Sequence, residues 1–173
     1  MFRAFLLGFV VAIVAVGVAA YFLVRDGVVP VNADGRPLPL EAWAAATALD
    51  AALAREAPKG SNPVALTDAN LIAGIGLYAK HCAICHGTAK GNASMTALAK
   101  GLYTQPPQLA TDGVEDDPEG SSFWKIKHGI RWTAMPAWAG ALNDEQIWTL
   151  ALFLKQMDKL PPAPAQAWQQ VSN

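Results

Sequence analysis

The residues best placed to do chemistry are Cys82 and Cys85, three apart, with His86 directly after them, in the stretch His81-Cys82-Ala83-Ile84-Cys85-His86-Gly87. C-x-x-C-H is the attachment signature of a covalently held c-type haem. Residues three apart share one face of a helical turn, so both thiols can reach the vinyl groups on one edge of a porphyrin. His86 can then swing its imidazole under the plane and ligate the iron. Two covalent links keep such a group from being lost, which suits repeated electron transfer. Other uses of the same residues fit poorly. A dithiol redox site opens a helix in a βαβ setting, and no strand pattern flanks this stretch. A structural zinc site needs four ligands; the chain has two cysteines, the histidines His81, His86 and His128, and no second C-x-x-C.

A second axial ligand has to come from far along the chain. The candidates are Met95, Met135, Met157, His81 and His128. Met135 is favoured. It stands in Thr133-Ala134-Met135-Pro136-Ala137-Trp138, far enough beyond His86 for the chain to wrap round the porphyrin edge, and Pro136 stiffens the loop that presents it. Met157 falls in a helical interior and reads as core, while His128 would give bis-histidine ligation. A Met/His pair raises the reduction potential. A ligating histidine usually donates its other ring N–H to a carbonyl, and in Gln105-Pro106-Pro107-Gln108-Leu109 the candidate acceptor is Pro107. Tyr103, Trp124, Arg131 and Trp132 are further candidates, as hydrogen-bond partners of haem propionates.

Several elements must position these groups. Thr67 can cap a helix that runs to the cysteines, with Leu71, Ile75, Tyr78 and Cys82 on one face. Gly74 and Gly76 cost that helix about 1 kcal/mol each, a cost that close approach by another helix would offset. The other helix is expected after Asn143, which forms a capping-box pair with Gln146. Its stripe is Ile147, Leu150, Ala151 and Leu154, with Trp148 and Phe153 at the flanks, and Pro161-Pro162 ends it. Between the two helices lies a loop-rich stretch, 87–119, with a short helix after Ser121 or Ser122 closed by Gly129. A long irregular middle needs a ligand to pack it. The tail, 161–173, is rich in Pro, Ala and Gln and reads as loosely ordered.

The chain has 173 residues, 53% of them hydrophobic, and a formal net charge of −1, which gives no basic footprint for nucleic acid. Much of the apolar content lies at the start. Residues 4–24 carry no charge between Arg3 and Arg25 and would span roughly 30 Å as a helix, the thickness of a hydrocarbon core. A transmembrane anchor over 1–25 fits that length; a signal peptide, with an apolar region of about 7–15 residues, is the alternative. Residues 26–66 read as a linker with a short Ala-rich helix over 39–57, its stripe formed by Leu49 and Leu53 with Ala42, Ala45 and Ala46, and Trp43 close by. That helix packs on the rest of the chain or docks a membrane partner.

With these residues in place, 67–160 resembles a class I c-type cytochrome. The resemblance is carried by Gly74 and Tyr78 ahead of the Cys82–Gly87 motif, by Pro107-x-Leu109, by Met135-Pro136-Ala137-Trp138 and by the aromatic-bearing last helix. Pro106 and Phe153 depart from the usual Gly and Tyr. The resemblance implies an all-α fold around one covalent haem c, terminal helices crossing near Gly74 and Phe153, and His86 and Met135 as ligands. It also implies attachment outside the cytoplasm. The expectation is then a single-pass, inner-membrane electron carrier, not itself an enzyme, with its haem domain on the periplasmic side. It would serve redox partners such as a membrane dehydrogenase, an oxidase or another cytochrome. A fixed subunit of such a complex is the alternative, and a haem-based ligand sensor a more distant one. Lys80, Lys90, Lys100, Lys125 and Lys127 would ring the haem edge and steer acidic partners, and the acidic run from Asp112 to Glu119 reads as a solvated turn.

Overall fold

The computed structural model describes residues 2–172 and contains eight α-helices and three 3-10 turns, with no strand among the described residues. The helices are α1 (Phe2–Arg25), α2 (Pro39–Glu56), α3 (Asp68–His81), α4 (Ala83–His86), α5 (Ala97–Lys100), α6 (Glu119–His128), α7 (Asp144–Lys155) and α8 (Pro162–Gln169). The chain divides into two units, one ending at Asn32 and the other beginning at Ala33.

The first unit is α1. Its 24 residues are long and apolar enough to cross a membrane, and none of its side chains is buried. Near its end the Arg25 guanidinium lies over the Phe22 ring at 5.9 Å, a cation–π contact suited to a helix end.

In the second unit α3 and α7 form the central pair, α6 packs on α7, and α8 packs on α3. The expected start of α3 is present: the Thr67 side chain accepts a hydrogen bond from the Asn70 amide. Leu71, Ile75 and Tyr78 face inward, all nearly inaccessible to solvent. At Gly74 an added Cβ would stand 2.7 Å from the Thr149 carbonyl and 2.8 Å from Phe153 Cβ. No side chain fits there, and this is where α3 and α7 cross. Gly76, by contrast, has open space beside it. The Asn143–Gln146 capping box that starts α7 is complete in both directions.

Phe153 is fully buried at the centre of the α3–α7 contact, the crossing the resemblance implies, rather than at the flank of the α7 stripe, because the missing side chain at Gly74 makes room for it. Three other expectations change. Helix α6 starts at Glu119, with Pro118 at its N-cap, so Ser121 and Ser122 lie inside it. The tail expected to be loose forms α8: prolines are tolerated in a first helical turn, and Trp168, 5% exposed, anchors it. Trp168, Tyr78 and Phe153 meet edge to face, with centroids 5.2–5.5 Å apart. Finally, the connector is partly built into the second unit. Leu49 and Leu53 are half-buried, whereas Ala42, Ala45 and Ala46 are exposed and Trp43 is 64% exposed. After α2, Ala57 is buried and the Pro58 carbonyl sits where a side chain at Gly120 would be. Asn62 Nδ2 donates to the Trp148 carbonyl at 3.0 Å and to Glu119 at 2.9 Å. At the other end of α2, the Tyr103 hydroxyl donates to Glu41 at 2.8 Å.

Candidate functional site

Helix α3 ends at His81, and the chain turns at Cys82 (φ −118°, ψ −36°) into the single turn of α4. Cys82 and Cys85 therefore start and end one tight turn, with the His86 amide closing it onto the Cys82 carbonyl at 2.9 Å. Both cysteines are free thiols and half-buried. Burial first, and then nearby Cys85, pushes the Cys82 thiol up to about 12, so it is held protonated.

His86 Nδ1 lies 2.9 Å from the Pro107 carbonyl. A carbonyl only accepts, so Nδ1 carries the proton and Nε2 presents a lone pair. Burial holds the imidazole below the ordinary histidine range, opposed by the Pro107 hydrogen bond. A neutral imidazole with one ring nitrogen fixed and the other free is the form that ligates a metal. The backbone on either side is tied down as well. The Tyr78 hydroxyl shares its proton between the carbonyls of Gly87 (3.0 Å) and His86 (3.1 Å), and the Leu109 amide donates to His86 at 3.2 Å. Helix α5 is fastened to the motif by Thr96, whose hydroxyl donates to the Ile84 carbonyl at 2.7 Å.

Met135 is half-buried against the hydrophobic core, as is Cys82. Its amide donates to Thr133 Oγ1 at 3.1 Å, and its carbonyl accepts from the Ile130 amide at 3.1 Å. Gly129 (φ +67°) lets the end of α6 run directly under this loop: a Cβ there would stand 2.6–2.7 Å from Pro136 C, the Ala137 amide nitrogen and the Met135 carbonyl. Trp138, three residues on, sets its ring edge to face with His81, at a centroid separation of 5.1 Å. The loop bearing Met135 and the helix leading into Cys82 are thus in contact.

The other ligand candidates differ in their surroundings. Met157 is buried in the core, His128 is exposed beside the Trp124 ring, and Met95 is half-buried after a 3-10 turn. Among the described residues no three His, Cys, Asp or Glu side chains are placed to share an ion. The donors on offer are two thiols one turn apart, one oriented neutral imidazole and two half-buried thioethers, Met95 and Met135, of which Met135 lies in the loop that touches α3 through Trp138. That set fits a covalently held haem.

The surface charges differ from expectation. Lys125 pairs with Asp117 at 2.6 Å and Lys127 with Asp144 at 2.7 Å, so these two are taken up within the molecule. The acidic loop is structural: besides Asp117, Asp112 accepts from the Gln108 amide and Glu119 from Asn62. Tyr103, proposed for a propionate, donates to Glu41. Arg131 and Trp132 are exposed, and Trp132 adopts a left-handed backbone (φ +62°) with 82% of its surface open.

Sequence reasoning missed Gln108. It is 1% exposed, and its Nε2 donates to the Cys85 carbonyl at 3.0 Å. Only its place beside Pro107 could have marked it.

Residues 69–154 match the family described as cytochrome c oxidase, cbb3-type, subunit III, a c-type cytochrome domain. No solved structure matches the chain.

Proposed function

This chain belongs to the class I c-type cytochromes through residues 69–154, with haem c as cofactor and electron transfer as its work, and we propose that a single haem is bonded to Cys82 and Cys85 with His86 and Met135 as axial ligands. Haem c supplies an iron that accepts and releases one electron at a time. The protein's part is to hold both ligands still. Pro107 fixes the His86 tautomer, Tyr78 and Leu109 fix the backbone beneath it, and Thr133 and Gly129 fix the Met135 loop. Held on both sides by His86 and Met135, a bound haem would have no open iron position, and the chemistry it would supply is electron transfer rather than substrate binding.

Helix α1 anchors the protein in a membrane as a single span. We place the haem domain on the periplasmic side of the inner membrane, where it carries electrons between a membrane dehydrogenase, an oxidase or another cytochrome.

The observation that carries the ligand assignment is the His86 Nδ1–Pro107 carbonyl contact of 2.9 Å, immediately after two thiols one turn apart. The test is spectroscopic. Pigment should stay with the polypeptide in acidified acetone, and the oxidised protein should show the weak red charge-transfer band of thioether-to-iron ligation. Met135→Ala should abolish that band, open the ferrous iron to carbon monoxide and lower the reduction potential. Extractable pigment, or an unchanged Met135→Ala spectrum, overturns the assignment.

A second reading, a fixed subunit of an oxidoreductase complex, is favoured by the way α2 and Pro58 are built onto α6, and by the matched family being described as an oxidase subunit. Stoichiometric co-purification with a partner in mild detergent supports it; recovery of the chain alone supports the mobile carrier.

A further inference from the structure

We propose that Gln108 is a positioning residue for the His86 ligand, acting as a clamp between the C-x-x-C-H turn and the loop that carries the Pro107 carbonyl. The inference rests on the ligand assignment above. Gln108 is 1% exposed and lies in an otherwise irregular loop. Its Nε2 donates to the Cys85 carbonyl at 3.0 Å and to the Pro106 carbonyl at 3.3 Å. One amide therefore bridges the residue before His86 and the residue before Pro107. The two ends of the His86–Pro107 hydrogen bond are each one residue from an atom that Gln108 holds.

Two more observations point the same way. Gln108 Oε1 is buried and has no hydrogen-bond partner. The hydrogen bonds that fix this side chain are therefore those its nitrogen makes. Oε1 also occupies the space a side chain at Gly87 would need, and Gly87 has φ +76°. The glycine that follows the ligand is thus fitted to the clamp. From the far side, the Gln108 amide is held by the Asp112 carboxylate, and the Thr111 hydroxyl donates to the Gln108 carbonyl at 3.0 Å.

The physical consequence is electronic. A firm hydrogen bond from Nδ1–H makes His86 a stronger donor through Nε2, and stronger donation favours the oxidised iron. Releasing the clamp lets Pro107 drift, weakens that bond and raises the reduction potential.

The experiment uses the full-length holoprotein in detergent. Gln108→Met keeps the length of the side chain and removes the donor. Met157→Ala truncates the core beyond the end of α7 and serves as the comparison for lost stability. Gln108→Met should speed solvent exchange of the His86 Nδ1 proton at least tenfold by NMR of the ferrous protein, and should raise the potential. Met157→Ala should lower the unfolding midpoint and move neither. If Gln108→Met loses stability while both readouts stay at wild-type values, the clamp is wrong and Gln108 only packs. If the variant does not mature, the wild-type protein decides: the Gln108 side-chain amide protons should exchange slowly, and exchange at the rate of a free amide overturns the proposal. A wild-type protein lacking covalent pigment or His86 ligation fails the earlier assignment instead, which separates the two.

Discussion

Trp132 carries a cost that nothing around it relieves. A bulky residue at φ +62° is strained by about 1–2 kcal/mol, and its ring is open to solvent. Trp132→Gly removes the strain and gives some of it back as chain entropy. The expected outcome is a gain of roughly 0.5–1 kcal/mol in chemical denaturation, with ligation unchanged; a loss of stability would mean the ring packs against something in the folded protein. At His86 the sign of the pH response follows from burial. The native imidazole resists protonation, whereas the unfolded chain takes up a proton near pH 6.5. The contribution is complete above that pH and is lost as pH falls below it, with a slope of up to about 1.4 kcal/mol per pH unit for one proton. Denaturation of the haem-free chain between pH 7.5 and 5 should show it, and a midpoint that rises on acidification would contradict it. Cys82, Cys85, His86, Met135 and Pro107 could be proposed from the sequence because each stands in a short pattern with fixed spacing, and the His86–Pro107 contact is present. Gln108 was not, because the carbonyl it grips is distant in sequence and a lone glutamine in a loop has no spacing to betray it.

The crossing of α3 and α7 depends on one absent side chain. Gly74→Ala places a methyl group within 2.8 Å of the Thr149 carbonyl and Phe153 Cβ. The helices must part, at about 1–3 kcal/mol. Gly76→Ala meets nothing and should stabilise α3 by up to about 1 kcal/mol. Thermal midpoints of the two variants should therefore move in opposite directions; equal shifts would show that the crossing is looser than this geometry. Helix propensity alone did not separate these two glycines, since only packing distinguishes neighbours on a helix; it was the resemblance that pointed to Gly74. Helix α8 was hidden for a related reason. Its two prolines, Pro161 at its N-cap and its glutamines read as a breaker-rich tail, and the helix is held mainly by what Trp168 buries. The docking of the connector was hidden too, because much of it runs through groups outside the α2 stripe: the Pro58 carbonyl over Gly120, Asn62 bonded to Trp148 and Glu119, and Glu41 accepting from Tyr103.

Across the whole molecule, the order of α1, α2, α3, α6 and α7 and the location of the core were legible from apolar periodicity, caps and breakers. What could not be read was that both ends of the second unit fold back onto its middle. The three-ring cluster of Tyr78, Phe153 and Trp168 joins α3, α7 and α8. Trp168→Ala should cost about 3–5 kcal/mol and, through Tyr78, loosen the carbonyls of His86 and Gly87. Faster amide exchange from His86 to Leu109, measured together with the midpoint, would report both; a lower midpoint with exchange unchanged there would confine Trp168 to α8.

The same cluster sets a timetable. A chain made from its N-terminus outward presents Cys82 and Cys85 well before Trp168 exists. Until that last ring arrives, the aromatic face of Tyr78 has no lid and the turn below it is free to open. In the finished fold the Trp168 ring covers that face of Tyr78, while Cys82 and Cys85 stay half-buried.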